Sequence, residues 1–335
     1  MKRLDVLVIC ALTFCLPSFA LAQVFSTPLE FDHFGRMFLE GNPDHLGVDL
    51  MNGIGTAVYA CGTGKVHRYE PSIAGYGGCD GQAGEVLFLK LQKNDGSTCV
   101  VQYGHVRNVP ERLKSPNASV TKGEYLGELA NYDPCCGGGG SCPHLHYGVW
   151  NSEENLPNEG WGYGNQGHWV EPFEFTARQN ADWYVQDRGL HSVFGHYKND
   201  PHWYHAWTEA FRAHPKNFDG TAKNCLIQEF EGGPWGGSVV YDPVGGGRRA
   251  YIVGWWQWSA WMDLGLNCGS CPHPDGHSGS SGEGGPNSCL GMPITNSYLS
   301  GPNWRQDFQK GYILDDQVWC YPSRAPGWAS DDSWH

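Results

Sequence analysis

Basic residues are scarce in this 335-residue chain: 22 Lys and Arg stand against 35 Asp and Glu, for a formal net charge of −13. Binding to a polyanion depends on Lys and Arg neutralising phosphates, so this balance excludes nucleic acid as the main partner. It also speaks against adhesion to anionic wall polymers. Long apolar runs are missing too. After the first twenty or so residues no stretch approaches the length needed to cross a bilayer, which leaves no transmembrane segment. Helical periodicity is sparse, while Gly, Trp and Tyr are plentiful at 47, 15 and 16 residues. Short strands joined by glycine-rich turns follow from that composition.

What is present at the start reads as an export signal, residues 1–22. Lys2 and Arg3 form a charged head, Val6 to Phe19 an apolar stretch, and Ala20-Leu21-Ala22 a small-residue cleavage site before Gln23. The mature protein is therefore expected to be secreted, extracellular or periplasmic. Eleven of the thirteen cysteines lie beyond that segment, an abundance that suits an oxidising compartment. Six fall before residue 143 and five after residue 224, which points to two separately stapled units. The odd total leaves at least one thiol unpaired within the monomer.

The first unit, 23–176, alternates short apolar runs with Gly, Asn and Pro. Within it, Glu85 to Gln92 and Thr98 to Val106 are strand candidates flanking an Asn94-Asp95-Gly96 turn. "EYLGELA" and "HLHYGVW" give further strands, and "HWVEPFEF" closes the unit. Residues 177–221 read as a linker whose one convincing helix is "WTEAFRAH". A second, smaller β-rich unit, 222–325, contains the low-complexity loop Ser278 to Ser288 and a faint internal echo, "QEFEGG" and "QDFQKG". The fold class expected is thus mainly β, antiparallel, with a disulfide-stapled accessory domain.

Three segments carry the chemistry. In "HLGVDL", an extended backbone puts His45, Gly47 and Asp49 on one face and Leu46, Val48 and Leu50 on the other. In "PHLHYGVW" the same arithmetic pairs His144 with His146, opposite Leu145 and Tyr147. In "VVQYGHV", His105 ends an apolar strand and follows a glycine, as His45 and Asp49 flank one. Histidine and aspartate are zinc ligands, and a catalytic zinc takes three protein ligands with a position left open. Two further histidines would remain for proton handling. Spacing alone leaves a catalytic and a structural zinc equally open. His33, His67 and His168 lack such a context and read as ordinary surface or core residues.

"HLGVDL", "GTAVYACGTGKV", "YGHV", "GELA" and "CPHLHYGVW", closing with "WVEPFEF", resemble the zinc peptidases of the lysostaphin type, family M23, in order and spacing from about Phe31 to Phe175. The resemblance implies a small, mainly antiparallel β domain whose strands line a groove. It implies His45, Asp49 and His146 as ligands of one Zn2+, with His105 and His144 assisting catalysis, and it does not say which of the two is the base. The implied activity is attack of a zinc-activated water on a peptide bond of peptidoglycan, in a cross-bridge or stem peptide. The chain departs from the family in "YDPCCGGGGSC" ahead of the His-Leu-His segment and in extra cysteines at 61, 79 and 99, so substrate preference is left open.

In the second unit, Leu290 to Ile313 resembles the LGFP-type repeat of bacterial cell-surface proteins. That implies contact with cell-wall glycan, with Trp235, Trp255, Trp256, Trp258 and Trp261 either stacking on sugars or forming the small domain's own core. Cys268-Gly-Ser-Cys271 with His273 and His277 fits a metal site or, in an exported chain, disulfide pairing. The expected activity is a secreted zinc endopeptidase acting on peptidoglycan. Its rivals are a zinc D,D-carboxypeptidase-like wall hydrolase and a noncatalytic wall-binding or amidase-regulating protein.

Overall fold

The computed structural model describes residues 25–74, 76, 83–131, 143–152, 156, 162–182, 195–203, 225–232, 237–241, 243, 250–254, 257, 293, 296, 298–300, 302–308, 311–314 and 317–320. The export segment, the "CCGGGGSC" stretch, the expected helix at 207–214, the five tryptophans named above and the Cys268–His277 cluster lie outside the described residues.

Ten strands form the first sheet: β1 (His33–Phe34), β2 (Val48–Met51), β3 (Ala57–Tyr59), β4 (Gly64–Ala74), β5 (Ala83–Gln92), β6 (Thr98–Arg107), β7 (Ser119–Val120), β8 (Tyr125–Leu129), β9 (His144–Trp150) and β10 (Trp169–Val170). They run in the order β1-β2-β9-β6-β5-β4-β7, with β10 beside β9 and β8 joining β3 to β6. Every pairing is antiparallel. The β5–β6 hairpin forms where the Asn-Asp-Gly turn predicts it. Lys93 N–H donates to Ser97 O at 2.8 Å, and Gly96 supplies the positive φ of 86° that the turn needs.

The register of β2 on β9 sets everything that follows. Val48 faces Tyr147, Asp49 faces His146, Leu50 faces Leu145 and Met51 faces His144. Because strand side chains alternate, Val48, Leu50, Leu145 and Tyr147 enter the main core while Asp49, His144 and His146 share the opposite face. Each fully buried Val or Leu there contributes roughly 1.5–3 kcal/mol, so a one-residue slip is strongly opposed. Leu46 departs from the expected alternation. It lies ahead of β2 and packs with Tyr76, Val86, Phe88, Trp150 and Trp169 in a second cluster on the site-bearing face.

Helix α1 (Pro172–Asp182) follows β10 and crosses residue 176, where the sequence divides the first unit from its linker. Its start is helical for identifiable reasons: Pro172 fits the first turn, and the Glu171 carboxylate accepts the Glu174 backbone N–H at 2.6 Å. The sequence reading passes over this helix because "PFEFT" alternates apolar and polar residues like a strand. Packing decides otherwise, with Phe173, Phe175, Ala177 and Ala181 all buried. Beyond it come β11 (Gly195–Tyr197), β12 (His202–Trp203), β13 (Leu226–Gly232), β14 (Gly237–Tyr241) and β15 (Ala250–Val253), a second antiparallel sheet. A third holds β16 (Tyr298–Ser300), β17 (Asn303–Phe308), β18 (Gly311–Leu314) and β19 (Gln317–Cys320). The two echoing segments sit alike: Gln228 and Phe230 on β13, and Gln306 and Phe308 on β17, are all buried just before a hairpin.

Among the described residues no disulfide is formed. Cys61 and Cys99 are buried thiols, and Cys61 Sγ accepts the Tyr103 hydroxyl at 3.1 Å. Burial pushes both thiols up, so they pack as small apolar groups. Cys79, Cys135, Cys136 and Cys142 lie outside the described residues. No described helix is long and apolar enough to cross a membrane.

Glu171 yields a prediction. Its Oε1 is enclosed without a hydrogen-bond partner, and burial pushes the carboxyl up to about 8 despite the helix N–H groups that favour its charge. A raised carboxyl binds its proton more tightly folded than unfolded, so stability falls as pH rises from about 4.5 to about 8. Glu171→Gln keeps an acceptor and removes the charge. Thermal melting is expected to show the variant more stable than wild type at pH 9, by on the order of 1 kcal/mol, with the gap closing at pH 5.

Candidate metal centre

His45, Asp49 and His146 each offer a ligand atom, and these atoms all lie within 4.8 Å of one another. His45 Nε2 stands 3.2 Å from Asp49 Oδ1, His146 Nδ1 stands 3.4 Å from it, and the two ring nitrogens are 2.9 Å apart. Donors about 2.1 Å from a tetrahedral zinc sit roughly 3.4 Å from each other, so the three atoms are spaced as such a site needs. Asp49 Oδ1 is ringed by three imidazoles yet has no hydrogen-bond partner, and His146 Nε2 is likewise buried without one. A buried carboxylate oxygen in that condition calls for a cation.

The surrounding residues orient the donors. His45 Nδ1 lies 3.0 Å from the Met37 carbonyl, which fixes that nitrogen as the N–H and turns Nε2 toward Asp49. Gly47 is required: a Cβ there would meet the Tyr147 carbonyl at 2.7 Å and the His146 ring at 2.9 Å. Burial is the largest influence on the Asp49 carboxyl and raises it, but His144, His146 and His45 together outweigh it and hold the group well below the usual carboxylate range. Burial also drives His146 down to about 4. At neutral pH the donor set is therefore a carboxylate with a neutral imidazole in His146, the form that metals bind.

His105 and His144 stand beside the three donors. The His144 Nε2 is 3.7 Å from Asp49 Oδ1, and the His105 and His144 rings lie 4.3 Å apart. All five residues are buried, none more than 8% exposed. His105 reaches this face through a bulge: Gly104 opposes Val86 and Val106 opposes Glu85, so His105 is the extra residue, in the left-handed region at φ 60°. That conformation costs a non-glycine residue about 1–2 kcal/mol and re-aims the ring off the core side of the strand. Its Nδ1 lies 2.9 Å from the Tyr76 carbonyl, which puts the lone pair on Nε2. Burial, reinforced by His144 and His146, holds His105 well below the usual imidazole range.

The structure brings together all five residues that the sequence singles out. His33 and His67 stand apart, and His168 packs on the Trp150 ring at 5.0 Å. Sequence reasoning missed Tyr76 and Tyr163, whose rings lie 4.8 Å from His105 and 5.1 Å from His45. Both occur in a Gly-Tyr-Gly tripeptide, 75–77 and 162–164, and a Cβ at Gly162 would strike the Tyr76 hydroxyl at 2.9 Å. Large rings bracketed by glycines were the available signal.

Residues 43–158, which hold all five, match the family model described as peptidase family M23. The chain carries an M23 domain. Among solved structures it is similar to the catalytic domain of the antimicrobial peptidase lysostaphin from Staphylococcus simulans, with 25% identity over 43% of this chain and 88% of that one (TM-score 0.28). A zinc-containing peptidase from Vibrio cholerae matches at 20% identity over 38% and 37% of the two chains (TM-score 0.28). The catalytic domain of the prophage-encoded M23 protein EnpA from Enterococcus faecalis, in a variant form, matches at 23% over 46% and 95% (TM-score 0.27). Of the longer relatives from Pseudomonas aeruginosa, Vibrio cholerae and Helicobacter pylori, the chain spans 37% to 44% of the length. No curated protein matches the chain.

The tight approach at Gly47 in the M23 domain is testable. Gly47→Ala forces the β2 entry away from β9 or turns the His146 ring. Metal analysis is expected to show zinc well below one per chain, at a cost in melting temperature of only a few degrees. Full zinc occupancy in that variant would show that Gly47 does not hold the donors.

Proposed function

We propose that this protein is an exported, zinc-dependent endopeptidase that hydrolyses peptide bonds of bacterial cell-wall peptidoglycan. The observation that carries the reading is Asp49 Oδ1, buried, unbonded, and within 3.2 and 3.4 Å of the His45 and His146 ring nitrogens. His45, Asp49 and His146 would hold one Zn2+. Zinc bound there supplies Lewis-acid stabilisation of charge on a peptide carbonyl and acidifies water.

The chain's own residues do the rest. His105, kept neutral by burial and locked by the Tyr76 carbonyl, presents Nε2 as a proton acceptor. His144, its ring tilted 59° against that of His105 at 4.3 Å and its Nε2 3.7 Å from Asp49 Oδ1, is placed to share that proton and return it to the leaving amine. Tyr76, its ring 4.8 Å from that of His105 and 5.9 Å from that of His146, covers one side of the centre. Residues 1–22 are proposed to direct export to the cell surface or periplasm. Residues 222–325 are proposed as a wall-contacting module, supported by the LGFP-like segment and the paired Gln-x-Phe strands.

The expected result for His146→Ala and Asp49→Ala is loss of stoichiometric zinc and of peptidoglycan hydrolysis to background, with folding retained by circular dichroism. Mass spectrometry of products from purified peptidoglycans, with and without chelator, distinguishes the readings. Internal cuts support an endopeptidase, and release of terminal D-Ala supports a carboxypeptidase. Undiminished turnover in His146→Ala would overturn the assignment.

A further inference from the structure

We propose that Arg36, braced by Tyr163 at the lip of the metal centre, selects peptides bearing a free carboxylate beside the scissile bond. The inference depends on the peptidase reading above and names the substrate class for that site.

The backbone brings Arg36 there. Gly35 N–H donates to the Asp49 carbonyl at 2.8 Å, and Asp49 N–H donates to the Arg36 carbonyl at 2.8 Å. Two consecutive residues thus oppose the single residue Asp49, the arrangement of a bulge, which bends a strand and re-aims a side chain. Gly35 permits it, since a Cβ there would lie 2.8 Å from Asp49 Cβ.

The side chain is exposed yet held. Arg36 Nη1 donates to the Tyr163 hydroxyl at 2.6 Å, and its guanidinium lies 5.5 Å from the centre of that ring. Tyr163 is fixed in turn against the centre. It bridges antiparallel to His45, and its neighbours are tied down by Leu46 N–H to Gly162 O and Gly164 N–H to Asp44 O, both 3.0 Å. A long cation on an otherwise mobile stem is therefore pre-positioned one ring away from a metal donor.

Charge makes the case. The described arginines other than Arg36 are Arg68, Arg107, Arg112, Arg178 and Arg305, and each pairs with an acid. Arg36 forms no ion pair among the described residues, in a chain where acids outnumber bases 35 to 22. Tyr163 occupies one of its five donors, and the remainder match the two oxygens of a carboxylate. A divalent cation held by two imidazole nitrogens and one carboxylate also leaves a net positive site, so both features favour an anionic substrate. The carboxylate could come from a peptide C-terminus or from an acidic side chain.

The test uses the full-length, zinc-loaded protein and three matched peptides around one cleavable bond. One carries a terminal carboxylate, one a side-chain carboxylate, and one has both amidated. Wild type is expected to prefer one acid form over the amide by about fivefold in kcat/KM, chiefly through KM, as an exposed charge pair allows. The preference should shrink at high salt. Arg36→Gln should bring the ratio close to one, and Tyr163→Phe should reduce it partway, both with zinc content unchanged. Which acid form wins identifies the source of the carboxylate. An acid-to-amide ratio that is equal in wild type and Arg36→Gln overturns the inference while leaving the peptidase reading intact. If wild type cleaves none of the peptides, the peptidase reading fails. Equilibrium binding of the same peptides then decides Arg36 alone: no acid preference in wild type, or one that survives Arg36→Gln, overturns it.

Discussion

Asp49 is a buried carboxylate on the site-bearing face of the first sheet. Taking a carboxylate out of water is costly, and here the cost is offset by imidazoles on three sides rather than by a lysine or arginine. That choice of partner has structural consequences. The imidazoles surround the oxygen without hydrogen-bonding it, which leaves it in want of a cation. The β2–β9 register, the glycine at 47 and the Met37 carbonyl hold three rings around that one atom, and the bulge and the Tyr76 carbonyl set His105 against His144 beside them. The main core on the other face supplies the rigidity. Val48, Leu50, Leu145 and Tyr147 alternate with the site residues, so the apolar packing and the donor geometry are fixed by the same register.

Much of this was legible in the sequence because strand periodicity converts spacing into facing. His-x-x-x-Asp and His-x-His needed nothing more than a period of two to place them on one side. The β5–β6 hairpin followed from its turn residues. What was not legible came from tertiary causes. His105 was singled out as a strand-end histidine, but the bulge that carries it to the site is announced by no local pattern. Leu46 changes clusters because it precedes the regular strand. Helix α1 was missed because its local alternation mimics a strand and its apolar face is rewarded only by distant partners. Tyr163 and Arg36 come together across 127 positions, a distance over which single-chain patterns carry no information.

The cysteines show a different limit. Their number suggests covalent stapling, yet Cys61 and Cys99 fill core space beside Tyr103 and act as small hydrophobes. Composition reports how many thiols are present, whereas burial and neighbours decide what each one does. The glycine-rich run before His144 remains the segment in which the sequence departs most from the M23 pattern.

The helix that follows β10 has a consequence for how the protein can be divided. Asn180 holds the Phe25 backbone with two hydrogen bonds, and Thr27 bonds the Tyr241 hydroxyl and the Pro243 carbonyl. Phe173 and Phe175 meet Phe34 and Phe25 edge-on, while the same helix lies against β13, β14 and β15. The first and second sheets thus share a wall. Cutting the chain near residue 176 would strip Phe25, Phe34 and Phe175 of their cover and leave a sticky flank. The first sheet is better thought of as a lodger in a larger core than as a detachable part. The second sheet is therefore joined by continuous packing, through α1 and Phe34 on β1, to the strand that carries Asp49.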